Sequence, residues 1–313
     1  MIRPEIIRII PMQIRGLSSF RELCEKKSTD KTLEEIRFRI GQYLVMRFSG
    51  EEVELKREGI KITEQHMREI LEYVSRYSLF AYEHELKQGY ITIEGGHRIG
   101  LVGRAIIENG RIKTQKYISS INIRIAHEVP GCAERIIPYI VEDKTICHTL
   151  IISPPRCGKT TMLRDIIRIV SDGNENLQGC TVGVVDERSE ICASFQGIPQ
   201  NYIGKRTDVF DACPKVEGMN ILIRTMSPAV VAVDEIGTSD EVHAIEYAMY
   251  CGCKILATVH GMSIQDIQKR PIVNQLITQK RFERYIVLDA DKKRGTVRGI
   301  YNERGNCLYQ DIW

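Results

Sequence analysis

The sequence predicts an α/β fold with a mostly parallel, doubly wound sheet, preceded by a smaller α+β domain. Two observations favour it. In the second half of the chain, short and nearly all-apolar segments alternate with helical patterns, which is typical of a parallel sheet covered on both faces. The first of these segments stops at two prolines and continues through Gly-Lys-Thr-Thr into an amphipathic helical pattern. That order of strand, tight loop and helix is the context of a phosphate-binding loop.

Composition sets limits on the class of protein. A chain of 313 residues is long enough for about two domains. Its 43% hydrophobic and 27% charged content, with a net charge of +3, fit a soluble globular protein and neither demand nor exclude nucleic acid. No apolar run approaches the roughly 20 residues that cross a bilayer, and residues 1–14 lack the features of a secretion signal. The ten scattered cysteines fit reduced, buried side chains, so we expect a cytoplasmic protein without a membrane segment of its own.

Residues 1–125 are predicted to form the α+β domain, which we expect to contact partners or other subunits. Its patterns, in chain order, are a capping box at Ser19 and Glu22 before a short helix, an alternating strand over 36–40, a helix capped by Thr63 with its apolar face from Met67 to Val74, and hairpins that turn at 94–97 and 109–110. Residues 126–145 are a linker that breaks at Pro130-Gly131 and continues in a bridging helix over 133–141.

Residues 146–313 are predicted to form the domain with the parallel sheet. The predicted elements are strands over 150–153, 181–186, 229–235, 254–260 and 285–289, helices after the loop and over 240–250, and a terminal β-hairpin from Gly295. This alternation indicates a P-loop NTPase arrangement, because the loop follows the first strand.

The loop between the first strand and its helix is the candidate ATP-binding segment. It consists of Ser153, Pro154, Pro155, Arg156, Cys157, Gly158, Lys159, Thr160 and Thr161. The free N–H groups and dipole of a helix N-terminus attract an oligophosphate. We expect Lys159 to reach the terminal phosphates and Thr160 to ligate Mg²⁺. Ser153 stands where the usual motif has its first glycine, and the alternative is a surface loop that happens to contain Gly-Lys-Thr.

An apolar strand over 230–233 ends in two carboxylates, Asp234 and Glu235. Beside bound phosphates, Asp234 would hold Mg²⁺ through its water shell. Glu235 would polarise the attacking water, for which a base must lie within about 3 Å. The alternative is a solvated strand end with no chemical role.

Two further strands deliver polar ends to the same edge of the sheet. Glu187 is a second candidate for positioning water, and the alternative is a structural charge network of Asp186, Glu187 and Arg188. At the end of 254–260, Thr258 or His260 would contact the γ-phosphate. A histidine at a strand end is equally often a hydrogen-bonded core residue.

Arg206 and Arg224 are candidate arginine fingers, the cations that stabilise charge on a transferred phosphoryl group. If either acts across a subunit boundary, the chain must form a ring. Most arginines are merely solvated or salt-bridged, so that interpretation stays open for both.

The order of these motifs resembles the secretion-ATPase branch of RecA-like motors. In that branch a Walker A loop, an Asp box, a Walker B strand and a His box follow in this order. The resemblance is more specific to the stage III sporulation protein AA family of endospore-forming bacteria. The runs that carry it are 95–101, 119–126, 185–191, 206–209, 213–219 and 282–285.

The resemblance implies a cytosolic ATPase on the mother-cell side of the forespore. Such a motor would use ATP and Mg²⁺, form a homo-oligomeric ring (a hexamer), and work with membrane-embedded sporulation channel proteins. An alternative is a RecA-like ATPase that grips single-stranded nucleic acid, for which Arg37, Arg39, Tyr43, Arg47 and Phe48 would supply a basic, aromatic surface. Alternation puts Phe48 on the core face, so nucleic acid is the less favoured partner. A nucleotide-binding scaffold without turnover is disfavoured, because Mg²⁺ ligands and a base are both present.

Overall fold

The structure, a computed structural model, describes residues 3–26, 32–74, 89–108, 110–289 and 295–310. The chain divides into two units, Met1–His127 and Glu128–Trp313, each with its own core. Asn109 of the predicted second hairpin turn lies outside the described residues.

The described part of the first unit is an antiparallel sheet with helices packed on it. Its strands are β1 (Leu33–Arg39), β2 (Val45–Phe48), β3 (Glu51–Glu54), β4 (Tyr90–Thr92), β5 (Arg98–Glu108) and β6 (Arg111–Arg124), in the order β3-β2-β1-β6-β5-β4. Its helices are α1 (Pro4–Ile9), α2 (Met12–Arg15), α3 (Ser18–Lys26) and α4 (Glu64–Val74). Ile36 and Phe38 alternate into the core, where Ile70 of α4 joins them. The predicted strand over 36–40 is confirmed as part of β1, and the predicted helix after Thr63 is confirmed as α4. Thr63 caps this helix as expected, because its hydroxyl accepts the N–H of His66.

The predicted capping box at Ser19 and Glu22 is wrong. Helix α3 begins at Ser18, which places Ser19 inside the first turn. The cap is Glu58, whose carboxylate accepts the Ser19 hydroxyl, the Ser19 N–H at 2.9 Å and the Ser18 hydroxyl at 2.8 Å. These hydrogen bonds lower the pKa of Glu58 to about 2. A carboxylate that is distant in sequence has replaced the local cap, which spacing along the chain does not reveal.

In the described part of the second unit, eight strands form a mostly parallel sheet. They are β9 (Thr149–Ser153), β10 (Val182–Asp186), β11 (Thr207–Asp211), β12 (Val230–Val233), β13 (Lys254–His260), β14 (Arg284–Leu288), β15 (Val297–Asn302) and β16 (Cys307–Gln310), in the order β11-β10-β12-β13-β9-β14-β15-β16. The pairs from β11 to β14 are parallel, and β15 and β16 add antiparallel. A two-stranded ribbon joins β7 (Val141–Glu142) to β8 (Thr145–Ile146). The helices are α5 (Ile137–Ile140), α6 (Lys159–Asp172), α7 (Lys215–Met226), α8 (Ser239–Tyr250), α9 (Ile264–Gln268) and α10 (Pro271–Thr278).

The sequence-predicted strands of this unit are confirmed as β9, β10, β12, β13 and β14, and the terminal hairpin as β15 and β16. The bridging helix is shorter than predicted, because α5 covers only Ile137–Ile140 and turns precede it. Pro138 has no N–H to donate to the turn before it, which shortens the helix. Strand β11 and helix α7 were not predicted.

Because β9, β10, β12 and β13 run parallel, their carboxyl ends meet at one edge of the sheet. The candidate loop, Asp186, Asp234 and His260 all stand at this edge. The fold therefore assembles side chains that are up to about a hundred residues apart in the chain.

Candidate active site

The candidate phosphate loop joins β9 to α6. Ser153 ends β9 as a fully buried strand residue, opposite His260 of β13. Its hydroxyl donates to the carbonyl of Pro154 at 2.8 Å. The left-handed backbone of the loop occurs at Arg156 (φ 64°) and at Gly158 (φ 96°), which directly precedes α6. Ser153 is thus accommodated in a position that does not require glycine's conformational freedom.

Lys159 begins α6 with a side chain that is only 6% exposed. Its ammonium donates to the Thr258 hydroxyl at 3.0 Å and to Oε1 of Glu235 at 3.2 Å, and it forms a short ion pair with Asp234. A buried lysine needs such partners, because removing its charge from water is costly. Two of these three oxygens belong to carboxylates, so the ammonium could exchange a carboxylate oxygen for a phosphate oxygen at this position.

Asp234 links the loop helix to the strand ends. Its Oδ2 accepts the Thr160 hydroxyl at 2.7 Å, and its Oδ1 accepts the hydroxyl of Thr258. Burial opposes ionisation of this carboxyl, but the Lys159 charge and the surrounding hydrogen bonds lower the pKa of Asp234 below its usual value. Asp234 is therefore a carboxylate at neutral pH, next to the hydroxyl of Thr160.

Glu235 follows Asp234 with a left-handed backbone (φ 55°), which is unusual for a residue other than glycine. Its Oε1 lies 2.9 Å from Nε2 of His260, and its Oε2 lies 3.4 Å from the guanidinium of Arg188. The side chains of Glu235 and His260 are 28% and 40% exposed, so water reaches both of them. The structure thus brings Glu235, His260 and Lys159 together, with Arg188 as a contact that the sequence did not single out for this site.

Glu187 and Asp186 face different partners. Glu187 lies 3.4 Å from the Lys215 ammonium through its Oε2. Asp186 is buried and accepts the N–H groups of Glu190, Ile191 and Cys192 at 2.8–3.0 Å. Burial outweighs these hydrogen bonds and raises the pKa of Asp186 to about 6. Asp186 therefore holds the loop after β10, while Glu187 lines the same cleft as Asp234 and Glu235.

Lys215 is a residue of this cleft that the sequence reasoning missed. It begins α7, and its ammonium donates to the carbonyl oxygen of Glu235 at 2.8 Å and to Oε1 of Glu241 at 2.9 Å. The only local signal is a lysine after Cys213-Pro214, which does not reveal partners in three other segments.

The two finger candidates do not join this cluster. Arg206 immediately precedes β11, at the amino edge of the sheet, and its guanidinium donates to the carbonyls of Ser171 (2.8 Å) and Asp172 (3.3 Å). It thereby stabilises the C-terminal end of α6. Arg224 is exposed in the last turn of α7. Helix α7 starts with Lys215 at the carboxyl edge of the sheet, and Arg224 lies about two and a half turns, or roughly 14 Å, further along the helix axis. Arg224 is therefore at the helix end remote from the cleft.

The residues considered for nucleic-acid binding belong to the first unit. Phe48 is 1% exposed and lies in the core. Arg37 donates to Oε2 of Glu35 at 2.6 Å and 2.9 Å, and the ammonium of Lys61 lies 5.8 Å from the centre of the Tyr43 ring. Binding of single-stranded nucleic acid would need both aromatic rings, Tyr43 and Phe48, at the surface, but the Phe48 ring is buried in the core.

Comparisons with known proteins decide the family. The family "Sporulation stage III, protein AA" matches residues 2–308. The chain belongs to the sporulation stage III protein AA family. Within it, the stage III sporulation protein AA of Bacillus subtilis (strain 168) is 43% identical over 304 residues, which cover 97% of this chain and 96% of that protein. The resemblance inferred from the motifs is thereby confirmed.

Solved structures show which fold this family member shares. The Legionella pneumophila ATPase DotB matches with a TM-score of 0.60 at 14% identity, covering 91% of this chain and 80% of that one. The pilus retraction motor PilT, solved with bound ADP, matches with a TM-score of 0.59 at 14% identity, covering 93% and 83%. At this identity the likeness shows the fold alone, a mixed α/β architecture with a largely parallel sheet.

In the described ranges, every helix is too short or too polar to span a bilayer.

Proposed function

We propose that this chain is a Mg²⁺-dependent ATP hydrolase with a RecA-like P-loop domain. One observation carries the proposal: Lys159, at the start of a helix that follows a buried strand, contacts the two carboxylates that follow a parallel strand two places away in the same sheet. The helix N-terminus supplies N–H groups and the lysine a charge, a combination suited to an oligophosphate. The fold shared with DotB and PilT, both described as an ATPase or a motor, supports the same activity.

The donor set fits nucleotide and metal. Thr160 and Asp234 present a hydroxyl and a carboxylate, which are hard oxygen ligands of the kind that Mg²⁺ prefers. Among the described residues, no group of three or more His, Cys, Asp or Glu side chains is placed to hold a metal ion. Mg²⁺ at this site would therefore complete its shell with water and phosphate oxygens, as it commonly does. Bound there, it would neutralise charge that develops on the phosphates.

The remaining residues divide the work of hydrolysis. Lys159 exchanges its carboxylate partners for phosphate oxygens. Glu235 holds the attacking water and takes its proton at the carboxylate, while Nε2 of His260, 2.9 Å away, orients that carboxylate. Glu187, across the cleft, is the second acid that can position water.

Assembly and cellular role complete the proposal, and they are supported by membership of the family and by the fold shared with DotB and PilT. The chain forms a homo-oligomeric ring, a hexamer, in which an arginine of one subunit completes the site of its neighbour. The N-terminal α+β part, residues 1–125, contacts partners or other subunits, and residues 126–145 link it to the ATPase domain. The ring energises a channel complex between mother cell and forespore, from the mother-cell cytoplasm, and reaches the membrane through partner proteins.

ATP turnover and particle mass test the proposal together. The purified chain is expected to hydrolyse ATP with Mg²⁺ and to stop when EDTA removes the metal. Its mass, measured with and without ATP, is expected to reach that of a ring. A monomer that retains full turnover when diluted would contradict the ring, and a protein that does not bind ATP would contradict the proposed activity.

A further inference from the structure

Lys215 occupies a central place among the acidic strand ends. Its side chain is 12% exposed, and its ammonium meets oxygens from three separate segments: Glu187 after β10, Glu235 after β12 and Glu241 in α8. An ammonium carries three N–H donors, and two of them are used by the Glu235 carbonyl and by Oε1 of Glu241. Lys215 thus has a fixed place and does not reach the phosphate loop through these contacts.

The backbone of Glu235 is the part that Lys215 restrains. A glutamate with φ 55° has a strained backbone and keeps that conformation only where its surroundings enforce it. The Lys215 ammonium donates to the carbonyl oxygen of Glu235, and the backbone N–H of Glu235 donates to the Thr258 hydroxyl at 2.9 Å. The next N–H, of Ile236, donates to the carbonyl of Thr258 at 2.9 Å. Both peptide groups that flank Glu235 are therefore fixed: Thr258 of β13 holds the N–H of each, and Lys215 holds the carbonyl oxygen of the second.

The same lysine orders the segment after Glu235. Oε2 of Glu241 accepts the N–H groups of Gly237 (2.8 Å) and Thr238 (3.0 Å), while its Oε1 accepts Lys215. Burial opposes ionisation of Glu241, but these hydrogen bonds lower its pKa, so the capping carboxylate is charged. The turn from Glu235 to Thr238 is thus held at its start by Lys215 directly and at its end through Glu241.

We infer that Lys215 is the positioning residue that sets the direction of the Glu235 carboxylate. This inference rests on the proposed ATP hydrolysis and adds to it a residue outside the loop and strand-end motifs. Without Lys215 the strained Glu235 backbone relaxes, and its carboxylate leaves the place between Lys159 and His260. ATP binding persists, because Lys159 and Thr160 keep their own partners.

The test compares Lys215→Met with Lys215→Arg and with a matched control. Lys254 is also a half-buried lysine paired with a glutamate, Glu283, at 3.0 Å, but it starts β13 at the opposite edge of the sheet. We expect Lys215→Met to lower kcat by about 10²-fold, the scale of a misplaced catalytic group, with an unchanged Kd for ATP. Lys215→Arg is expected to restore most of kcat, because it keeps the charge and the donors. Lys254→Met is expected to keep the kcat of the parent.

Hydrogen exchange provides a readout that does not depend on turnover. In the nucleotide-free protein, Lys215→Met is expected to speed exchange of the amides of Glu235 to Thr238, whereas Lys254→Met leaves these amides unchanged. Where Lys215→Met itself folds poorly, the Lys215→Met/Glu241→Gln pair removes the unpaired buried charge, and its exchange is compared with that of Glu241→Gln alone, because Glu241 also holds the amides of Gly237 and Thr238.

The outcomes separate the two proposals. A parent protein without ATPase activity contradicts the proposed function, and exchange of the Glu235–Thr238 amides still decides whether Lys215 fixes this turn. Unchanged exchange in Lys215→Met overturns the inference. A kcat of Lys215→Met, measured on ATP-saturated protein, that equals the kcat of the parent also overturns it. The same holds if Lys254→Met loses as much kcat as Lys215→Met.

Discussion

The hydroxyl of Thr160 and Oδ2 of Asp234 lie 2.7 Å apart, which joins the first turn of α6 to the end of β12. The same carboxylate pairs with Lys159 of that turn. Two consecutive residues of α6 therefore contact one carboxylate at the end of β12. In the sheet, β12 lies two places from β9, the strand that precedes α6. This contact joins the candidate phosphate loop to the carboxylates that follow β12.

Lys159→Ala is expected to abolish ATP binding while the protein stays folded. The substitution removes the buried charge that faces the loop, and no other described ammonium donates to Asp234 in its place. Isothermal titration with ATP and Mg²⁺ measures the binding, and circular dichroism checks the fold. Lys254→Ala, which breaks an ion pair at the far edge, serves as the control. ATP binding as tight as in the parent would show that the loop does not bind phosphate.

Glu235→Gln is expected to keep ATP binding and to lower kcat by about 10²-fold or more, the scale for loss of a general base. The amide preserves the shape of the side chain but does not accept a proton. Single-turnover hydrolysis with Mg²⁺ measures the effect. Glu187→Gln is expected to slow hydrolysis less, since Glu187 pairs with Lys215 across the cleft. A fully active Glu235→Gln beside an inactive Glu187→Gln would exchange their roles.

Mixed rings are expected to regain activity when Arg224→Ala subunits are combined with Lys159→Ala subunits. Arg224 is exposed and lies at the end of α7 away from the Lys215 end. In the proposed ring it would therefore serve a neighbouring subunit rather than its own site. An arginine finger supplied in trans contributes roughly 10³–10⁵ in rate. Each variant is measured alone and in mixtures at constant total concentration. Mixtures that never exceed the sum of the two separate rates would argue against a shared site.

Asp186→Asn is expected to change how stability depends on pH. The folded-state pKa of Asp186 is raised from 3.8 to about 6, so its contribution is fully present below about pH 4 and is lost as the pH rises through 6. A rise of this size corresponds to about 3 kcal/mol. The asparagine does not titrate, so the unfolding free energy of the parent minus that of the variant should fall from pH 4.5 to pH 7. Urea titrations at both pH values measure this difference. A difference that stays constant or rises would contradict the titration of the buried carboxyl.

Much of the second unit was predictable because its strands are short and wholly buried. Strands β9, β10 and β12 have all of their residues in the core, which produces the apolar runs in the sequence. Strand β11 escaped prediction because it is an edge strand, half-buried along its length and with an aspartate at each end of its apolar pair. Helix α7 contains Gly218, a poor helix former; a Cβ there would lie 2.5 Å from Cγ1 of Val185, so close contact with β10 requires the glycine.

Within the site, the sequence predicted motifs whose residues are adjacent in the chain, but not contacts between residues of distant segments. The loop and the pair Asp234-Glu235 are contiguous motifs, and the parallel sheet brings them together as expected. The partners of Lys215 come from three segments, so no local pattern contains that contact. Arg206 illustrates the converse: its position before β11 puts it at the amino edge, where α6 ends, and the sequence does not state which edge a residue faces.

Ser153 carries a consequence for how such chains are found by motif searches. It ends a strand, pairs in register with His260 and leaves the left-handed geometry of the loop to Arg156 and Gly158. A search pattern that insists on glycine at the first position would therefore discard this chain for a residue whose backbone any amino acid can adopt. A pattern that tolerates any small residue there, and keeps the glycine directly before the lysine, would retrieve it.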